Sequence, residues 1–267
     1  MTSVLGLVAG FLCIIGGALA DHVPLSSLVN LTAFIIVLCG SFSAVTLQFG
    51  LGNMVAGLKA FMWLLKPPSI DLHKFIDQVT EWSSLARSQG TLALESVLPD
   101  VADPFQKQGL QMIVDNTSPE DFAIILSASA ESAVHHQHVP SEVWEAIGGY
   151  SPTIGVMGAV LGLIHVMMRL DHPDELGEGI ATAFIATVYG VGFANLVALP
   201  LGNRLKQLAK QMERERDVVM QGFLLLAEGK PGIIIRQNLS SFLDDHGKKK
   251  SKGGAEAEPA GATAVAE

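Results

Sequence analysis

The sequence predicts an all-α integral membrane protein with four transmembrane helices and a helical cytoplasmic domain between helices 2 and 3. Three observations carry that reading. First, Asp, Glu, Lys and Arg are absent from residues 1–20, 23–58, 146–168 and 179–203. The last two runs each exceed the roughly 20 apolar residues that span a bilayer core. Second, the stretches between them read as amphipathic helices punctuated by Pro and Gly. Third, every one of the 17 Lys and Arg residues except Arg169 falls in 49–150 or after 202. Basic residues mark the cytoplasmic side of a membrane chain. Both termini and the large insert are therefore expected in the cytoplasm, with the two short loops on the other side. The expected divisions are a first hairpin at 1–50, a helical domain at 51–145, a second hairpin at 146–203, a helix at 204–245 and a disordered tail at 246–267.

Composition agrees with that class. Of the 267 residues, 16% are charged and 49% hydrophobic; ordinary globular chains carry about 25% charge. A net charge of −9 argues against a nucleic-acid partner. Cys13 and Cys39 lie inside apolar segments without metal-ligand spacing, so they read as small membrane-helix residues. The first 20 residues carry no charge, and a second long apolar run follows closely. They read as a retained helix, because a signal peptide has a basic leading region.

The elements follow in order. Segment one covers about 3–20 and ends at Asp21, His22 and Pro24. Segment two covers about 28–48. From Leu51 to Leu65 the apolar residues recur at helical spacing, and Pro67-Pro68 ends that helix. Ser69 is positioned to cap the next helix, whose stripe is Leu72, Phe75, Ile76, Val79 and Leu85 or Ala86, up to Gly90. A short helix at 91–98 precedes Pro99, and another covers about 104–115. Ser118-Pro119-Glu120-Asp121 is a helix start: a hydroxyl cap, Pro at the first position and an acid at the third. That helix is expected to end near His138, with Pro140 and Ser141 opening the one that leads into segment three. After Pro200, Leu205, Leu208, Met212, Val219 and Phe223 form one face of a charged helix. The tail from His246 has no apolar period.

The two hairpin-2 segments carry small residues every four positions: Ser151, Gly155 and Ala159, with Gly158 and Gly162 beside them, then Ala186, Gly190, Ala194, Ala198 and Gly202. Such faces allow close helix packing in lipid, on each other or on another chain. Pro152 and Pro200 flank these spans as boundaries or hinges.

Equally informative is the chemistry that is missing. No carboxylate sits within any of the four segments, although an intramembrane acid is the usual ion carrier. A partner would have to supply it. The glycines near 155 match no phosphate-binding fingerprint. His135, His136 and His138 read as a hydrated helix surface, and no nucleophile motif occurs. Neither an enzyme nor a metal or cofactor site is expected. Thr187 reads first as a threonine bonded to its own backbone, and second as a pore-bordering group.

YSPTIGVMGAVLGLIHVM, an acidic loop and GIATAFIATVYGVGFANLVALPL resemble the A subunit of flagellar stator units, the MotA/PomA family within the wider MotA/TolQ/ExbB superfamily. LARSQGTLALE in the insert is similar too. The resemblance covers roughly residues 1–225 and implies an inner-membrane subunit that couples inward H⁺ or Na⁺ flow to flagellar rotation. It further implies about five A subunits around two MotB/PomB-type B subunits, each bringing a membrane helix with an essential aspartate. Arg87 and Glu95 match the pair that acts on the rotor protein FliG, and Pro152 and Pro200 match prolines of conformational coupling. Ala159 and Thr187 match the ion pathway. Thr187 without a second Thr at 159 looks like the proton-type pattern. An ExbB/TolQ-type energiser of outer-membrane processes is the alternative, although such proteins usually have three spans.

Overall fold

The computed structural model describes residues 2–64, 67–171 and 173–252. The helices are α1 (Thr2–Ala20), α2 (Leu31–Phe34), α3 (Gly40–Lys59), α4 (Leu72–Gln89), α5 (Pro104–Val114), α6 (Pro119–Met167), α7 (Pro173–Phe193), α8 (Leu199–Ala227) and α9 (Gly232–Lys252). Single π-helical turns at Ile35–Cys39 and Ala194–Ala198 join α2 to α3 and α7 to α8 without a break. Strands are absent among the described residues. Three helical stretches are long and apolar enough to cross a membrane: Leu25–Leu64, Glu120–Met167 and Gly179–Ala227. The apolar helix Leu5–Ala20 is shorter.

The chain divides into two compact units. Of the described residues, one unit takes those within 1–68 and 133–211, and the other those within 69–132 and 212–252. The second unit is thus not the single stretch 51–145 expected from the sequence. Its core needs the end of α8 and α9. Phe75, Val79 and Trp82 of α4 pack with Leu94, Leu110, Phe122, Val219, Phe223 and Leu239. The Phe223 ring lies 5.6 Å from that of Phe75 and 6.0 Å from that of Trp82, stacked on the latter. Buried aromatic pairs of this kind add about 0.5–1.5 kcal/mol beyond their area. Glu215, buried at 5% exposure, accepts a hydrogen bond from the Ile70 amide at 2.8 Å.

Several local expectations need correction. Asp71, not Ser69, caps α4: its Oδ1 accepts from the Lys74 amide at 3.1 Å. Aspartate there also suits the positive end of the helix dipole. The segment after Gly90 is 3₁₀ helix and runs through Pro99 to Asp100. α6 does not stop near His138; it continues through both Pro140 and Pro152. Pro200 also lies inside continuous helix, two residues after the π turn. Proline lacks the amide that would bond the carbonyl four residues back, so the wider turn sits where α-helical pairing is already broken. α7 begins at Pro173, which shortens the expected acidic loop. The helix expected at 204–245 is two, separated at Gly229 with φ +69°. Residues 246–252 continue α9; the rest of the expected tail lies outside the described residues. The Ser118 start is as read: Ser118 Oγ accepts from the Asp121 amide at 3.1 Å and donates to Asp121 Oδ2 at 2.7 Å.

In the first unit, Val45, Met54, Val143, Trp144, Ile147, Ala198, Leu201 and Leu205 form one core. Trp144 Nε1 donates to the Gly57 carbonyl at 2.9 Å, fully buried. A Cβ on Gly57 would sit 2.6 Å from Val143, so glycine is what allows the approach. Trp144→Phe leaves the Gly57 carbonyl without that donor and is expected to cost about 1–3 kcal/mol, read as a lowered Tm in detergent.

Candidate functional site

Gly155, Gly158 and Gly162 of α6 and Gly190 of α7 pack the two helices against each other. A Cβ on Gly190 would lie 2.5 Å from the Ser151 carbonyl oxygen and 2.9 Å from Gly155 Cα. On Gly155 it would meet the Ala186 carbonyl at 2.9 Å, and on Gly162 it would meet Ala183 Cα at 3.0 Å. On Gly158 it would meet Ala186 Cβ at 3.0 Å. Partner numbers rise on α7 as they fall on α6, so the two helices are antiparallel with backbones nearly touching. Farther along, Gly202 faces Ser141 and Glu145, and Gly148 faces Leu199. The ladder is therefore an intrachain seam, and the face available to another helix is a different one.

Helical geometry identifies that face. Successive residues turn by 100°, and in an antiparallel pair the next residue on each helix turns to the same side of the contact line. Gly158 meets Ala186, so Ala159 and Thr187 lie on one side of the crossing. Ile185 and Tyr189 turn to the other side, where they pack with Ala33 and Val37. The stretch 31–39 thus covers the Ile185 side, and among the described residues the Thr187 side is left uncovered. One turn away on that side, Val156, Leu163, Phe184 and Val191 are exposed, Phe184 at 71%. Ala159 and Thr187 are each half-buried. Thr187 Oγ1 donates to its own Ala183 carbonyl at a long 3.4 Å; an ionic ligand would compete easily with so long a bond.

On the covered side is a polar clamp that sequence reasoning missed. Asn30 Oδ1 accepts from the Ala33 amide at 2.9 Å, capping α2, while its Nδ2 donates to Thr182 Oγ1 at 2.8 Å. The Tyr189 hydroxyl donates to the Leu28 carbonyl and accepts from the Asn30 amide at 3.2 Å. Asn30 ahead of an apolar run was the available signal, being a preferred cap residue. The clamp fixes the start of α2 to α7 and so holds the covering helix on one side.

Pro152 and Pro200 are not together. Pro152 lies near the Ser151–Gly190 contact and Pro200 near the Gly202–Glu145 contact. Those levels are some six residues apart on α6, roughly 9 Å at 1.5 Å per residue. Pro152 is half-buried and Pro200 exposed.

Arg87 and Glu95 belong to the other compact unit. Arg87 is in the last turn of α4 and Glu95 in the following 3₁₀ helix, with Gly90 (φ +88°) turning the chain between them. Only glycine adopts that conformation cheaply. Trp82 and Leu94 anchor the two sides in the core. Arg87 and Glu95 are both exposed, and neither is ion-paired among the described residues. They form a solvated surface of opposite charges on a rigid support.

Comparison with known proteins adds to this geometry. Residues 98–218 match the model of the MotA/TolQ/ExbB proton channel family. Motility protein A of Bacillus subtilis is 34% identical over 91% of this chain and 90% of its own length. Motility protein A of Helicobacter pylori is 31% identical over 94% of this chain and 98% of its own. The solved flagellar MotAB stator complex of Bacillus subtilis superposes with a TM-score of 0.81 at 33% identity, covering 97% of this chain and all of that one. A shared sequence over nine-tenths of the length and a shared helical architecture lead to one conclusion: the chain belongs to the MotA/TolQ/ExbB proton channel family, as a stator subunit of the flagellar-motor type.

Proposed function

We propose that this stator subunit couples inward proton flow to torque by lending its Thr187 side to the membrane helix of a B subunit. The observation that carries the proposal is the uncovered apolar face beside Ala159 and Thr187, with no Asp or Glu in either helix from 146 to 168 or 179 to 203. An ion pathway across the membrane needs an acid that these apolar spans do not contain, and the solved relative is a complex of A and B subunits. A carboxylate supplied by the partner would meet a threonine hydroxyl and alanine methyl at one level.

Protonation then works as a packing switch. An ionised aspartate resists an apolar surface, and the neutral acid does not. One charge falling through a potential of about 150 mV supplies about 3.5 kcal/mol, enough to bias a state pair a few kcal/mol apart. Repeated around a ring of A subunits, roughly five per two B subunits as the family resemblance implies, the switch turns the ring. Prolines 152 and 200 soften α6 and the α7–α8 run at about 10 and 20 Å along the helices from the Ala159–Thr187 level. A methyl at 159 offers no oxygen to replace a sodium hydration shell, which favours H⁺ over Na⁺.

The four-span arrangement is part of the same reading. α1, the Leu25–Leu64 stretch and the second hairpin cross the inner membrane, and both termini and the unit holding Arg87 and Glu95 face the cytoplasm. Its support is the segregation of Lys and Arg. Arg87 and Glu95 then meet a charged rotor surface of FliG type.

The test is flux. Cells or vesicles with this chain and its B subunit acidify on a voltage step, and the chain alone does not. Deleting the gene abolishes swimming; swimming that persists overturns the reading. Thr187→Val is expected to lower flux at least several-fold while changing stability by less than about 1 kcal/mol, because only a long self-bond is lost. Unchanged flux would remove Thr187 from the pathway.

A further inference from the structure

We propose that the first unit holds a binding site for an anionic phospholipid, with the headgroup on Arg204 and the acyl chains between α1 and the α7–α8 run. A cavity of about 600 Å³ opens there, within the roughly 300–1,000 Å³ typical of small-molecule sites. Leu7, Phe61, Leu64 and Val197 make its apolar interior, and Asn203, Arg204 and Gln207 contribute polar groups. Among the described residues, Arg204 is the single charged one lining it. Its Nη1 donates to Gln207 Oε1 at 3.3 Å, which leaves most of the five guanidinium donors for a phosphate. Planar guanidinium forks bind phosphate oxygens in pairs.

The occupant is argued from charge and from shape. A cation with no carboxylate beside it among the described lining residues, above an apolar interior, is complementary to a phosphodiester on hydrocarbon chains. A water-soluble phosphate would leave the apolar walls bare. A second apolar cavity of about 390 Å³ adjoins the first, with Leu196 lining both. On α1, Leu7 faces the first cavity, and Phe11 and Ile14 face the second. Those residues fall on one helical face at i, i+4 and i+7, a track about 10 Å long at 1.5 Å per residue. Between the cavities a Cβ on Gly10 would lie 3.1 Å from Leu196 Cδ2. The π turn Ala194–Ala198 supplies Asn195, Leu196 and Val197 to the walls. Such turns widen a helix, often at functional sites.

The site rests on the proposed orientation, in which residue 204 lies at the cytoplasmic interface. The inner leaflet there carries anionic lipid that attracts basic residues. The experiment keeps the two readings apart, because it measures bound lipid rather than rotation. The complex with its B subunit is purified in mild detergent from bacterial membranes, and lipid is identified by native mass spectrometry. Wild type is expected to retain phosphatidylglycerol or cardiolipin over phosphatidylethanolamine by at least five-fold relative to the membrane composition. Arg204→Glu loses that enrichment, and Arg204→Lys keeps part of it. The proposal is overturned by a wild-type complex without retained lipid, by zwitterionic lipid retained equally, or by full enrichment in R204E. It is also overturned if cysteines placed at Leu7 and Phe61 in separate copies cross-link efficiently in a Cys13- and Cys39-free background, since a second copy then fills the cavity. The wild-type measurement decides even if R204E fails to accumulate. Swimming and membrane fractionation report separately on the stator reading.

Discussion

Gly190→Leu is expected to abolish accumulation of the folded protein, while Gly192→Ala, two residues away, is expected to be tolerated. The contrast follows from what each new side chain meets. At Gly190 the first added carbon already lies 2.5 Å from the Ser151 carbonyl oxygen and 2.9 Å from Gly155 Cα. Both are backbone atoms of the facing helix, so no rotamer change relieves the overlap. Overpacking a core ordinarily costs about 1–3 kcal/mol, occasionally more. A leucine against a helix backbone belongs to the upper end, and total stability is only about 5–15 kcal/mol. α6 and α7 must separate, and the Ala159–Thr187 side separates with them. At Gly192 nothing lies within 4 Å of the added carbon. Alanine there gains about 0.5–1 kcal/mol of helix preference. Immunoblots of membrane fractions and melting in detergent read both variants. A stable, motile Gly190→Leu protein would refute the seam.

Reversing Arg87 and Glu95 is expected to have a large effect on swimming with almost none on folding. Both side chains are exposed and outside any ion pair among the described residues. Surface substitutions of that kind usually stay within about 0.5 kcal/mol. Their work, on the proposed reading, is to steer and register a charged partner surface, which is where exposed charges matter most. Arg87→Glu and Glu95→Lys should each shrink swimming rings several-fold at wild-type protein levels. The loss should lessen at higher ionic strength, because the repulsion made by a reversed exposed charge is screened over a Debye length of about 10 Å at 0.1 M. Normal rings from the double reversal would mean that torque passes elsewhere.

The stretches of sequence that were easiest to read were those in which one physical quantity dominates. Absence of charge over 146–168 and 179–203 fixed two apolar helices regardless of context. Leu205, Leu208, Met212, Val219 and Phe223 all turned out buried, because helical period alone decides which residues share a face. Helix ends were harder. Pro140, Pro152 and Pro200 carry a local penalty of about 3 kcal/mol each, yet long helices run through all three. That penalty is offset by burial on both sides of the proline, and burial is a tertiary quantity. Asp71 displaced Ser69 as a cap for the same reason: both are competent caps, and the packing of Leu72, Phe75 and Ile76 chose the register.

By itself, the sequence determined that the chain is helical, that its apolar segments lack an acid, and that small residues line one face of each hairpin-2 helix. It also placed Arg87 and Glu95 on either side of a glycine. Only the tertiary structure decided what the small face touches. Period tells which residues point together but not toward what, and here the ladder closes on itself within the chain. It likewise decided that Ala159 and Thr187 share a side opposite Ile185, because that depends on the handedness of two antiparallel helices and on which flank the 31–39 stretch covers. The drawing of the units was tertiary as well: the core around Phe75 is completed by Phe223 and Leu239, far along the chain. A chain specifies its own periodicities locally, but the partner of each face is settled only when all faces are packed together.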